Sequence, residues 1–374
     1  MSPQPKLLAE QRWSAIIIFR GLIELYGLDH QSSQKGYYPA ALVLGFFDCA
    51  IYTDGFLMLF FSFLHRTLCG EPTELYNYNI MPDWRYFDDL ASWSQDRIEN
   101  VKSSIEDFAE YIIQDLLLPL RILSLDMLQP TSPSQPSAQT PTTGSSTQQT
   151  PTMEERCLLR DYHECVVSFK FDQVEAQRRF VEDGEDCRDN DGNLLGNESM
   201  DRFELLGAAY ILPPSLATLT ADNTELSNSQ KATLEFLMIL DPKLPSFIED
   251  QQLDTTVNAI TMTPHYHQLF SAFKIYFEST GNPNEYEIRS TTGLSFPHDP
   301  VLPVVRTLTM NPDCPIDLPS PPLLAVHYAI ARIIEVSGAG PYVEDIIRNL
   351  GERNVRADGS SNLGAVIGFW LSGW

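Results

Sequence analysis

The sequence predicts an α+β protein in which a mixed strand-and-helix domain follows a separate, mostly α-helical one. Three observations carry this reading. Apolar residues before position 128 recur at helical spacing. A composition break spans residues 129–152. Beyond it, short extended runs alternate with helices.

In the first part, LLAEQRWSAIIIFRGLIELYG reads as a helix that stops at Gly27. The apolar stretch at residues 37–64 is long enough to raise the question of a membrane. Asp48 and Asp54 interrupt it, however, and each costs a few kcal/mol at a bilayer centre. The expectation is two buried helices and no membrane. Ile98, Val101, Ile105, Phe108, Ile112 and Leu116 mark one face of a further helix. Residues 1–128 thus form the helical domain, with no catalytic constellation and an unknown partner.

Residues 129–152, QPTSPSQPSAQTPTTGSSTQQTPT, hold no charge and no aromatic side chain. Such a stretch cannot bury enough surface to offset chain entropy, so it is expected to be a disordered linker. After it come a short helix, PTMEERCLLRD, and a strand, HECVVSFKF. An acidic segment then leads to the strand-like FELLGAAYIL and the amphipathic helix SQKATLEFLMILDP. NAITMTPHYHQLFSAFKIYFES should begin extended and turn helical, with His267, Phe270, Phe273 and Phe277 at helical intervals. A strand, NEYEIRST, precedes a proline-rich loop. PPLLAVHYAIARIIEVSGAGPYVEDIIRNL closes the domain as two helices broken near Gly338 and Gly340. The second domain is therefore placed at 153–350, with a C-terminal tail at 351–374.

Composition bounds the chemistry. Hydrophobic residues make up 43% of the 374, enough for a sizeable core. Lys and Arg total 25 against 50 Asp and Glu, a formal charge of −25. Phosphates would meet a like-charged surface, so binding of nucleic acid is disfavoured unless a cation or a local basic patch intervenes. Arg156, Arg160, Lys170, Arg178 and Arg179 are the main basic concentration. The six cysteines show no CxxC pair, and the first residues lack the basic-then-apolar pattern of a signal peptide. An intracellular protein, cytoplasmic or nuclear, with free thiols is expected.

In NAITMTPHYH, Asn258 sits on the extended part, and His265 and His267 open a helix. Neutral imidazole is a common metal ligand, although two histidines fall short of a full ligand set. CRDNDGNLLGNE places Asp189, Asp191 and Glu198 as in a calcium loop. Cys187 stands at the first position, where calcium wants a hard oxygen, so a solvated loop is the simpler reading. No G-x-S-x-G, P-loop or Rossmann glycine pattern occurs. His30, His65 and His327 lie in or beside helical stretches and read as structural.

Taken in order, RDYHECVVSFKFD, LLGAAYILPPSL, ATLEFLMILDP and VNAITMTPHYHQLFSAFKIYFE resemble the HNH nuclease domain of a group of larger HNH proteins. The resemblance covers roughly residues 153–350. It implies a ββα-metal motif, here embedded in additional helices, in which two strands and a helix grip a divalent cation such as Mg, Mn or Zn. It further implies that a first histidine serves as general base, an asparagine holds the site loop in register, and a last histidine binds the metal. Asn258 matches the asparagine and His267 the metal-binding histidine, with His265 as an auxiliary metal ligand.

The general-base position is taken by Tyr210. A tyrosine hydroxyl, with a reference pKa near ~10, is a poor base at neutral pH. Phe169 likewise replaces the glycine that ends the family's first motif. His265, His163 and Glu204 are the conceivable substitute bases. The resemblance implies a metal-dependent endonuclease hydrolysing phosphodiesters. The alternative is a catalytically degenerate HNH domain serving as a binding or scaffolding module.

Overall fold

The computed structural model describes residues 6–32, 35–69, 84–87, 92–126, 151–217, 226–250, 252–291 and 299–353. The expected linker therefore lies outside the described residues from 129 to 150, as does the expected tail from 354 onward. The chain divides into two compact units. One comprises Met1–Ile122, Thr218–Phe247 and Tyr328–Trp374; the other comprises Leu123–Ala217 and Ile248–His327.

The first unit is helical. Helices Ala9–Tyr26, Pro39–Cys49, Thr53–Cys69 and Gln95–Ile112 bury Phe19, Phe46, Phe56, Phe60 and Phe108 in one core. The 98–116 spacing holds: Val101, Ile105, Phe108, Ile112 and Leu116 are all buried, the last within a π-turn at Ile113–Leu117. Helix Asn228–Leu240 belongs here too, because its Phe236 packs against Phe46 and Tyr111 at ring distances of 5.5 and 5.0 Å. The unit thus gathers segments from three parts of the chain rather than ending at a boundary near residue 128.

The 37–64 stretch does form two helices. Asp54 is buried among them, taking both Nε (2.5 Å) and Nη2 (2.7 Å) of Arg12 and the Leu7 amide. Among the described residues no single helix is long and apolar enough to cross a membrane.

Among the described residues the second unit holds seven short strands: β1 Phe171–Asp172, β2 Phe203–Glu204, β3 Gly207–Tyr210, β4 Ala259–Met262, β5 Ile275–Ser279, β6 Glu285–Ser290 and β7 Val304–Thr307. They form a parallel β1–β2 pair, an antiparallel β3–β4 hairpin and an antiparallel β5–β6–β7 sheet. Small sheets beside helices make the protein α+β, as the sequence predicts.

Two local expectations fail for identifiable reasons. HECVVSFKF is a turn rather than a strand. The Phe169 amide donates back to the Cys165 carbonyl, and the Cys165 amide donates to Lys170. Phe169 adopts the left-handed region at φ 59°, where the family pattern keeps glycine. The helix after β4 also ends early. It runs from Pro264 to Ser271, Phe273 turns left-handed at φ 55°, and Phe277 lies in β5. Spacing alone could not separate a helix from a strand that continues its apolar run. The final helices Pro321–Ser337 and Gly340–Arg353 do break at Gly338, which takes φ 64°. The second extends past residue 350, into the expected tail.

Candidate functional site

The site is built on the β3–β4 hairpin and the helix that follows it. In register, Tyr210 stands opposite Ala259, Ala209 opposite Ile260 and Ala208 opposite Thr261. Residues directly opposite share a face, so Tyr210, Ala208, Ala259 and Thr261 line one side of the hairpin. Thr263 caps the Pro264–Ser271 helix by accepting from the Tyr266 amide, and Pro264 sits in its first turn. That helix packs on β3 and β4 and gives the ββα arrangement.

Asn258 is fully buried directly before β4. Its Nδ2 donates to the carbonyls of Leu212 (2.8 Å) and Leu253 (2.7 Å), and its Oδ1 accepts from the Leu212 amide at 3.0 Å. Its polar atoms are thus committed to backbone, and it pins the end of β3 to the loop before β4.

Arg160 and Asp161 reinforce the same frame. Arg160 is wholly buried, forks onto both oxygens of Asp161 at 2.7 Å, and donates to the carbonyls of Thr256 and Ala259. Asp161 in turn accepts from the Thr261 amide at 3.0 Å. The preceding helix, Met153–Arg160, lies close on β3: a Cβ added at Gly207 would come within 3.2 Å of Glu154 Oε1.

Tyr210 donates its hydroxyl proton to Asp254 Oδ1 at 2.7 Å. Burial first, then the hydrogen bond and charge of Asp254, push its pKa up from the ordinary tyrosine value. Its surroundings therefore hold the phenol protonated. Asp254 was invisible to sequence reasoning, because nothing in QQLDTT distinguishes that aspartate.

The two helix histidines do not converge. Two residues apart on an α-helix they point about 200° apart. His265 is exposed and its Nε2 lies 3.8 Å from Asp299, which also accepts from the Tyr266 hydroxyl and the Val301 amide. His267 is turned inward. Its Nε2 is buried with no hydrogen-bond partner, and burial alone lowers its pKa. Among the described residues no group of three or more His, Cys, Asp or Glu could hold a metal ion.

The substitute bases lie elsewhere. His163, left-handed at φ 57°, has Nε2 4.0 Å from Glu175, beside the α-helix Gln173–Asp183. Glu204 is on β2, not β3, and pairs with Lys170 at 2.8 Å. The calcium-like loop spends Asp189 on the amides of Asp191 and Asn193 and on the Asn193 side chain, as a self-contained turn.

Residues 187–278 match the HNH endonuclease family. This segment belongs to the HNH nuclease domain family. The match spans Tyr210, Asn258, His265 and His267, while the RDYHECVV motif lies just ahead of it. No curated protein and no solved structure matches the chain. HNH endonucleases generally use a divalent metal. The unpartnered Nε2 of His267 suits one ligand of such an ion, but a divalent cation needs further donors, and among the described residues no group of three or more His, Cys, Asp or Glu supplies them. Among the described residues the donor set does not fit such an ion.

Proposed function

We propose that the HNH domain of this protein is catalytically degenerate and serves as a binding or scaffolding module. The observation that carries this reading is the Tyr210–Asp254 hydrogen bond, which occupies the general-base position with a proton donor. A phenol whose pKa is raised by burial and a neighbouring carboxylate cannot draw a proton from water near neutral pH. The formal charge of −25 points the same way, since it opposes the approach of nucleic acid. What the fold retains is its frame: the Asn258 clamp and the buried Arg160–Asp161 pair hold the hairpin.

The second reading is a metal-dependent endonuclease, favoured by the family match and the free Nε2 of His267. Plasmid nicking with Mg, Mn or Zn across neutral and alkaline pH separates the two. The degenerate reading expects no metal-dependent nicking from the wild-type protein, and none from Tyr210→His. Nicking that needs a divalent metal and vanishes in His267→Ala would overturn it.

A further inference from the structure

The second unit carries a cleft that plays no part in the reading above. It measures about 80 Å³ and is lined by Tyr162, Cys165, Phe169, Arg306, Thr307 and Thr309, among others. That is room for several waters, and hence for one tetrahedral oxyanion.

Arg306, on β7, is the distinctive wall. Its Nε donates to the Val166 carbonyl (3.1 Å), Nη2 to Val167 (2.7 Å) and Nη1 to Val305 (3.1 Å). Among the described residues no carboxylate pairs with it, although acids outnumber bases 50 to 25 in this chain. The guanidinium carries five N–H bonds. Three are spent on these carbonyls, which fix its orientation and leave two for a ligand. The two carboxylates that also line the cleft are already engaged: Asp161 by Arg160 and the Thr261 amide, Glu164 by Arg202 at 2.9 Å.

The backbone around the cleft is held in a costly form. Tyr162 (φ 58°) and Phe169 (φ 59°) are both left-handed without being glycine. Phe169 is nonetheless 47% exposed, and its ring lies 3.9 Å below the Arg306 guanidinium. An exposed aromatic kept in a strained conformation against an unpaired cation shapes the cleft at a cost to stability, and such strain collects at ligand sites.

We propose that this cleft binds one phosphate-sized oxyanion, with Arg306 as the charged anchor and Phe169 setting the guanidinium plane. Arginine suits the task because its fork meets two oxygens of a tetrahedral anion, and a partly buried charge is less screened than a surface one. The ligand is a free or terminal phosphate rather than the backbone of a nucleic acid. The cleft takes a single group, and the net charge of −25 repels a polyanion.

Calorimetric titration of the full chain with inorganic phosphate at low ionic strength tests this. One saturable site is expected, weakened about tenfold or more in Arg306→Gln, as for loss of a charge-assisted bidentate contact. Because Arg306 also braces the 165–170 turn, Thr309→Glu provides the control. It sets a carboxylate at an exposed position of the cleft, and should abolish binding while leaving the thermal transition unchanged. Absence of saturable phosphate binding in the wild-type protein, or undiminished binding in Thr309→Glu, overturns the proposal. An oligonucleotide lacking terminal phosphates that competes for the site, and loses affinity in the same variants, overturns the choice of a free or terminal phosphate.

Discussion

Asn258 and Leu212 hold each other from both sides. The Leu212 amide donates to Asn258 Oδ1 at 3.0 Å, and the Leu212 carbonyl accepts from Asn258 Nδ2 at 2.8 Å. An amide side chain thereby extends, to the second residue beyond β3, the ladder that the backbone pairs of β3 and β4 begin.

Asn258→Ala should therefore cost at least about 2 kcal/mol, since it leaves a buried N–H and two buried carbonyls short of a partner. Urea denaturation of the second unit measures it. Asn258→Asp should be no milder, because a carboxylate would face the Leu212 and Leu253 carbonyls. Wild-type stability in either variant would refute the clamp.

Arg160→Ala should destabilise by about 3–5 kcal/mol, the range for breaking one side of a buried ion pair. It strands Asp161 and removes a donor from the Thr256 and Ala259 carbonyls. The double variant Arg160→Met, Asp161→Asn should recover part of the loss, because no unpaired charge remains. A double variant worse than the single one would argue against a charge-stranding penalty.

Acid should weaken the fold through His327. This residue is fully buried, stacked at 3.9 Å on Phe270, and its Nε2 donates to the Phe270 carbonyl at 3.0 Å. Burial, opposed by that hydrogen bond, lowers its pKa to about 4. The folded value lies below the unfolded value of about 6.5, so the unfolded chain binds the proton more readily. The stability contribution is complete above pH ~6.5 and is lost as pH falls through about 4, by about 3 kcal/mol at most. Burial lowers the pKa of His163 and His267 as well, which adds loss of the same sign. Denaturation measured between pH 7 and 4 should show the decline, and His327→Gln should flatten it.

Phe169 tests the left-handed turn. Phe169→Gly should stay within about 1 kcal/mol of wild type, because relief of the left-handed penalty offsets glycine's entropy and the lost contact with Arg306. Phe169→Val should cost more than about 1 kcal/mol, since β-branching suits φ 59° worst. Thermal melts of the two variants, expected in that order, check the assignment.

Much of this site was legible in the chain. Thr152 and Glu155 announce the capping box that starts the Met153–Arg160 helix, and Thr263–Pro264 announces the next. The strand character of GAAY and AITM and the asparagine before the second strand were readable, because local sequence carries period and capping. The turn at 165–170 was not, since CVVSF has the composition of a strand and only its backbone bonds fold it back.

The sequence by itself determined the α+β class, the order of the ββα segments and the presence of a tyrosine at position 210. The tertiary structure alone decided what that residue does. Tyr210 and Asp254 lie 44 positions apart, and Arg160 meets the Thr256 carbonyl across 96. It also decided that His265 and His267 face different partners, and that helix 228–240 packs with the first unit. The physical reason is range. Propensity and periodicity act over a few neighbouring residues, whereas a proton donor's partner, a buried charge's compensation and a metal's donor set depend on groups brought together only when the chain folds.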